Sequence, residues 1–168
     1  ALIPEAVILR LAVVYGRHDR GNVAVLLRSI KRGRAVVVGD GKNKKSLLYA
    51  ENLGDRVRLV LDRRDIEGVW NVCDEPAPTQ AELMREISVA LAVRRPRRIP
   101  TALLSAIAWP VDRALDLVGG EPVWGDRVAK LAATTHFSGR ALDTRLCYTP
   151  RFSLAQGLAR TVAQGVHV

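Results

Sequence analysis

The residue types best suited to meeting a ligand lie between Ala35 and Tyr49. A β-branched run, Val36-Val37-Val38, stops at Gly39-Asp40-Gly41; Lys42, Lys44 and Lys45 follow, and an apolar run resumes at Leu47. That order reads as strand, tight basic turn, strand, which predicts a hairpin. Glycine lets a ligand approach backbone amides because no Cβ stands in the way, and the lysines add positive charge beside them. The chemistry expected of the turn is therefore anion binding. The same residues also suit a plain hairpin turn with solvated lysines.

Other reactive groups are sparse. Cys73 and Cys147 lie far apart without Cys-x-x-Cys spacing, which argues against a disulfide scaffold or zinc site and fits a reducing cytoplasm. His18, His136 and His167 lack ligand-like spacing, so no metal is expected. Lys and Arg number 26 against 17 Asp and Glu, a formal charge of +9 over 168 residues. Such a balance suits nucleic acid, a membrane surface or a phosphorylated small molecule. Aromatic residues make up 5% and do not interleave with the basic ones, which argues against a base-stacking single-strand binder. Arg94-Arg95-Pro96-Arg97-Arg98 is the densest basic run. It reads as a solvated connection to a short strand at Ile99, with nucleic-acid docking or nuclear targeting as the other readings. The most apolar stretch, Ala102 to Val111, is too short to span a bilayer and runs into Asp112 and Arg113.

The elements that would position these residues follow from periodicity. With 48% hydrophobic residues the chain can form one domain with its own core, or a large piece of a two-domain protein. Val7 to Val14 reads as a buried parallel strand. Val23 to Arg32 has helical spacing, with Asn22 as N-cap and Gly33 at the C-terminal end. A second helix runs from Glu51 to about Arg64 with Leu53, Val57, Val60 and Leu61 inward, and Val69 to Cys73 is a short strand. Thr79-x-x-Glu82 and Ser153-x-x-Gln156 each match a capping box before a helix. Further helices are expected over Thr101 to Val118, with a kink at Trp109-Pro110, over Trp124 to Ala133, and from a Ser138 cap to Leu146.

The order of these pieces carries a resemblance. Leu9-Arg10 through Val14-Tyr15-Gly16, Gly21-Asn22 opening a helix, and Val38-Gly39-Asp40-Gly41-Lys42-Asn43-Lys44-Lys45-Ser46-Leu47-Leu48-Tyr49-Ala50-Glu51-Asn52-Leu53 come first. Asn71-Val72, Thr79-x-x-Glu82-Leu83, Leu146-Cys147-Tyr148-Thr149-Pro150 and Ser153-Leu154-x-x-Gly157-Leu158 follow. Together they resemble the C-terminal half of an extended short-chain dehydrogenase/reductase, the family of NAD-dependent nucleotide-sugar epimerases and dehydratases.

The resemblance implies an α/β fold, with the terminal strands of a Rossmann-type parallel sheet near 7–14 and 69–73. A small helix-rich α/β substrate-binding subdomain would occupy mainly 16–50 and 76–168, and the N-terminal dinucleotide-binding half would be absent. It places Asn22 by the substrate diphosphate, at a helix N-terminus suited to that task, although Asn22 also suits a plain N-cap. Val38 and Gly39 would run along the nucleobase. Lys45 would grip the diphosphate as a point charge where the family usually has Arg. Val13 stands where some subgroups carry an Asn near the sugar, and Cys147 stands where a glycine usually ends the helix.

No catalytic residue is assigned. The family's Gly-x-x-Gly-x-x-Gly turn and Tyr-x-x-x-Lys pair are both missing: Tyr15, Tyr49 and Tyr148 are followed four positions on by Asp19, Leu53 and Phe152. Without the lysine no tyrosine pKa is drawn toward neutrality, so the 168 residues alone are expected to be inactive. NAD(P) would belong to a full-length parent, a cytoplasmic homodimer acting on a nucleotide-diphosphate sugar. This chain would bind no cofactor tightly and would have no membrane partner. The other readings are a non-catalytic nucleotide-sugar or dinucleotide sensor, a steroid- or flavonoid-type reductase, and a basic nucleic-acid-binding module. An exposed apolar sheet edge should make the fragment self-associate.

Overall fold

The computed structural model describes residues 6–103, 106 and 133–165. The helices expected over Thr101 to Val118 and Trp124 to Ala133 fall largely outside them. The described elements run β1 (Val7–Leu11), β2 (Val13–Tyr15), α1 (Asn22–Lys31), β3 (Val36–Val38), β4 (Leu47–Tyr49), α2 (Ala50–Leu61), β5 (Gly68–Val72), α3 (Gln80–Ala90), β6 (Arg97–Ile99), α4 (Arg140–Leu146) and α5 (Leu154–Ala163). The chain is α/β, and its strands form three parallel pairs: β1 with β5, β2 with β4, β3 with β6. Helices cover them because a parallel return needs a crossover.

The expected hairpin does not form. β3 pairs with β6, Val36 opposite Arg97, whereas β4 pairs with β2, Val13 opposite Leu47. Gly41 N–H closes a turn onto the Val38 carbonyl at 3.3 Å. The chain then leaves along other partners, Lys44 bridging Thr79 and Lys45 bridging Thr135. A hairpin reading considers only neighbours in sequence, and here each strand is claimed by a distant one. The single strand expected over Val7 to Val14 is likewise two, divided at Ala12, and it is less covered than expected, with Ile8, Leu11 and Val13 exposed.

Two apolar clusters hold the layers together. Tyr15, Val23, Leu27, Ile30, Val37, Tyr49, Met84, Ile87 and Leu158 join α1, α3 and α5 to β2–β4. Ala12, Leu48, Val60, Ile66, Val72, Cys73, Leu142 and Leu146 join α2 and α4 to β5.

The helix ends repay attention to what bonds each amide. Both capping boxes form: Thr79 with Glu82 opens α3, and Ser153 with Gln156 opens α5. Asn22 is not the N-cap of α1. Gly21 holds that position without a side-chain bond, and Asn22 is the first helical residue. The capping work is done from further back by Asp19, whose carboxylate accepts from Gly21 N–H at 2.6 Å and Ala24 N–H at 3.0 Å. Ser138 also sits one position too early: Gly139 is the N-cap of α4, and Ser138 Oγ accepts from Arg140 N–H at 3.2 Å.

The buried face of α2 is the largest departure. Asn52, Arg56 and Val60 are buried, while Leu61 is 79% exposed. Arg56 donates to Asp143 at 2.7 and 3.0 Å, to Asp74 at 2.9 Å and to the Cys73 carbonyl at 3.2 Å, and its guanidinium lies 4.6 Å from the Tyr148 ring centre. A cation so fully partnered can be buried. Its partners sit on other elements, so hydrophobic periodicity along α2 cannot foresee the rotation.

Candidate functional site

A pocket of about 440 Å³ opens at the C-terminal end of β3, lined by Val38, Gly39, Asp40, Lys42, Asn43, Thr101 and Thr134. β3 delivers Val38 and Gly39 to its floor, and the residue just beyond β6 and its following proline supplies Thr101. α3 fixes the floor from behind: the buried Gln80 Oε1 accepts Val38 N–H at 3.1 Å, and Gln80 N–H donates to the Asn43 carbonyl at 2.8 Å. The remaining wall is a strap, residues 133–137, bonded to residues 43–46. Thr135 N–H donates to the Lys44 carbonyl, Ser46 N–H to the Thr135 carbonyl, and Lys45 Nζ to the Ala133 carbonyl at 2.6 Å.

The amides of the basic turn are already committed. Gly39 N–H donates to the Ile99 carbonyl at 2.8 Å, Gly41 N–H to Val38, and Lys42 N–H to Asp40 Oδ1 at 3.0 Å. Backbone carbonyls take both glycine amides and the Asp40 carboxylate takes that of Lys42, so these three donors are not offered to an anion. The glycines answer to conformation and packing instead. Gly39 has φ +65° and a Cβ there would lie 2.8 Å from Thr101 Oγ1, at the pocket wall; Gly41 has φ +67° and its Cβ would lie 2.6 Å from Val37 Cγ1. What the pocket offers is the Asp40 carboxylate with the Lys42 ammonium 3.8 Å from it, the Asn43 amide and two threonine hydroxyls beside apolar Val38. That set suits the polar edge of a ring or the hydroxyls of a sugar.

Of the four residues expected to bind substrate, Val38 and Gly39 line this pocket together. Lys45 is not among the lining residues; its ammonium donates to the Ala133 carbonyl of the strap. Asn22 is exposed at the start of α1 and is not among the lining residues, and the Asp19 carboxylate already holds amides at that helix end. Asp40, Asn43, Thr101 and Thr134 come to the pocket without having been singled out. Asn43 and Asp40 stand beside the marked glycines and could have been read from them, but Thr134 arrives from a strap roughly ninety positions away.

The described tyrosines are poorly suited to proton abstraction. Burial, with the Asp74 charge, pushes the Tyr15 hydroxyl well above its ordinary range; burial and the bond to Glu51 push Tyr49 up; burial does the same to Tyr148. Burial also raises the Cys73 thiol to about 11, so it stays protonated at neutral pH. No group of His, Cys, Asp and Glu among the described residues could hold a metal ion.

A dinucleotide needs open helix-terminal amides for its pyrophosphate. α1, α3 and α5 each begin with amides bonded by side chains, those of Asp19, Thr79 and Ser153. α2, in contrast, begins behind Tyr49 without a side-chain cap.

Residues 4–73 match the NAD dependent epimerase/dehydratase family. Over 162 residues the chain is 30% identical to the N-acetyl-alpha-D-glucosaminyl-diphospho-ditrans,octacis-undecaprenol 4-epimerase of Escherichia coli O157:H7, covering 92% of this chain and 47% of that enzyme. Among solved structures, it superimposes on the human epimerase family protein SDR39U1 with NADPH at a TM-score of 0.68, with 20% identity, over 94% of this chain and 48% of that one. UDP-glucuronic acid 4-epimerase from Bacillus cereus in complex with NAD gives a TM-score of 0.63 at 16% identity, over 94% of this chain and 44% of that one. The chain thus spans about half the length of the E. coli relative. The structural likenesses establish the α/β fold with its parallel strands.

Proposed function

We propose that this chain is the C-terminal, substrate-holding portion of an NAD-dependent epimerase or dehydratase. In this reading the pocket at the end of β3 receives the nucleotide of a nucleotide-diphosphate sugar. The observation that carries it is the convergence of Val38 and Gly39, the two residues assigned to the nucleobase by resemblance, on one pocket with hydrogen-bonding walls. The acid/base pair and the cofactor contacts belong to another part of the same protein, and the described tyrosines, all with raised pKa, agree with that division. Nucleotide binding here would hold the sugar in place while chemistry proceeds elsewhere.

Titrating the chain with UDP and UDP-N-acetylglucosamine tests this reading. Saturable binding is expected, weakened at least tenfold by Gly39→Val, which sets a branched side chain against Thr101 at the pocket wall. Folded protein that binds neither compound, or a Gly39→Val variant that binds as well as wild type, would overturn it.

A second reading is favoured by the E. coli relative, whose named substrate carries a polyprenol in place of a nucleoside. Both substrates share a diphosphate-linked sugar. If the polyprenol form is the true substrate, Thr101→Val, which removes a pocket hydroxyl at nearly constant volume, leaves its turnover by the complete protein unchanged, because no nucleobase enters the pocket.

A further inference from the structure

The pairing of β3 with β6 gathers basic residues from two distant segments onto one end of the molecule. Val36 lies opposite Arg97 and Val37 opposite Arg98, in parallel. Arg34 lies two positions before Val36 and Arg95 two positions before Arg97, each just outside the paired residues, with Arg94 beyond. Arg32, at the end of α1, adjoins them. All six arginines, 32, 34, 94, 95, 97 and 98, are exposed. None makes a side-chain hydrogen bond or ion pair among the described residues. The sequence contains no acidic residue between Asp19 and Asp40, or between Glu86 and Asp112, so neither contributing segment carries a compensating charge. Seven arginines elsewhere among the described residues are ion-paired, as Arg63 and Arg145 are with Asp65 and Arg151 and Arg160 with Glu51.

The geometry points to this arginine rim as a docking surface for an anionic phospholipid bilayer. It stands apart from the pocket reading, because it uses none of the lining residues. Clustered cations gain from the negative potential of such a surface, and the gain adds up residue by residue. Two features favour lipid over nucleic acid. The rim holds no aromatic side chain on which a base could stack, and the chain beyond it carries no charge from Pro100 to Val111, with Leu103 of that run 53% exposed. Basic residues with the exposed Leu103 a few positions on match an interfacial contact. The resemblance implies no membrane partner, and no described helix could span a bilayer; the surface proposed is peripheral. β3 has three residues, so the pocket at its far end would sit about 10 Å from the rim and close to the lipid headgroups.

Flotation with lipid vesicles at near-physiological ionic strength tests the proposal. The chain should float with phosphatidylglycerol/phosphatidylcholine vesicles and not with phosphatidylcholine alone. Each arginine removed should lower the partition coefficient about fivefold. Replacing Arg94, Arg95, Arg97 and Arg98 by alanine should therefore lower it more than a hundredfold. Arg94→Ala with Arg95→Ala, both outside β6, should lower it more than tenfold with an unchanged melting temperature, and four Arg→Lys changes should largely preserve it. Equal flotation with neutral vesicles, or unchanged flotation of the Arg94/Arg95 double variant, overturns the proposal. So does tighter, arginine-dependent binding to a duplex oligonucleotide than to the anionic vesicles, which would assign the rim to nucleic acid.

Discussion

Cys147 ends α4 with φ 50° and ψ 39°, in the left-handed region, where an L side chain crowds the following carbonyl. The resemblance places a glycine at this position, and the structure shows why one would be suited to it. Cys147 is exposed and unpaired, so little packing is lost on its removal. Cys147→Gly should raise stability by about 0.5–1 kcal/mol, the relief of strain less the extra chain entropy glycine loses on folding. Urea unfolding at constant m-value reads the change, and a lower midpoint would show that the thiol packs usefully. Arg56 poses the opposite case. Its removal strands the carboxylates of Asp74 and Asp143 against a buried gap, so Arg56→Ala should cost about 3–5 kcal/mol. Arg56→Lys should recover only part of that, because an ammonium cannot bridge both carboxylates with a fork of donors.

Among the elements, what the sequence makes legible is what is local. Thr79 with Glu82 and Ser153 with Gln156 are each three residues apart, and both capping boxes form as the spacing predicts. The limits of α1 follow within one residue from its apolar spacing, and Gly33 takes the left-handed conformation expected just past α1. The hairpin failed because strand pairing depends on partners β4 and β3 find across the chain. The stripe of α2 is met at Val60, which is buried, and at Leu53, which packs on the same cluster, but not at Leu61, and Arg56 is buried instead by residues of β5's exit and α4. At the pocket, Val38 and Gly39 were legible from the glycine turn, whereas Thr134 needed the strap's register, which no spacing encodes. The link between α2 and α4 also carries a pH prediction. Asp65 pairs with Arg63 at 2.8 Å and Arg145 at 2.8 Å, and the bond from Arg63 leads in lowering its carboxyl from 3.8 to about 2. A depressed carboxyl stabilises the fold above its unfolded pKa, and that contribution fades as pH falls from about 4 toward 2. Asp65→Asn should therefore flatten the pH dependence of the melting temperature in that window and leave its slope above pH 5 unchanged. An unaltered acid limb would mean the pair is too well screened to matter.

The molecule as a whole leaves apolar strand surface uncovered. Parallel strands are ordinarily buried on both faces. In the β1–β5 pair, however, Ile8 and Val69 stand opposite each other and are 39% and 49% exposed, and Leu11 and Val13 are exposed as well, at 45% and 42%. Two parallel strands are too few to hold such a face in water without help. The formal charge of +9 opposes association at low ionic strength, but salt screens repulsion between exposed charges and leaves the apolar attraction in place. Sedimentation velocity should accordingly show monomer giving way to oligomers as salt is raised from low to physiological levels. Ile8→Lys with Val69→Lys, placing like charges side by side on the patch, should keep the chain monomeric at both. The six rim arginines make a useful contrast: neutralising them should promote association by lowering repulsion. A wild-type chain that stays monomeric across the salt range would show that this face is tolerated in water, and the patch would then carry no expectation of a covering partner.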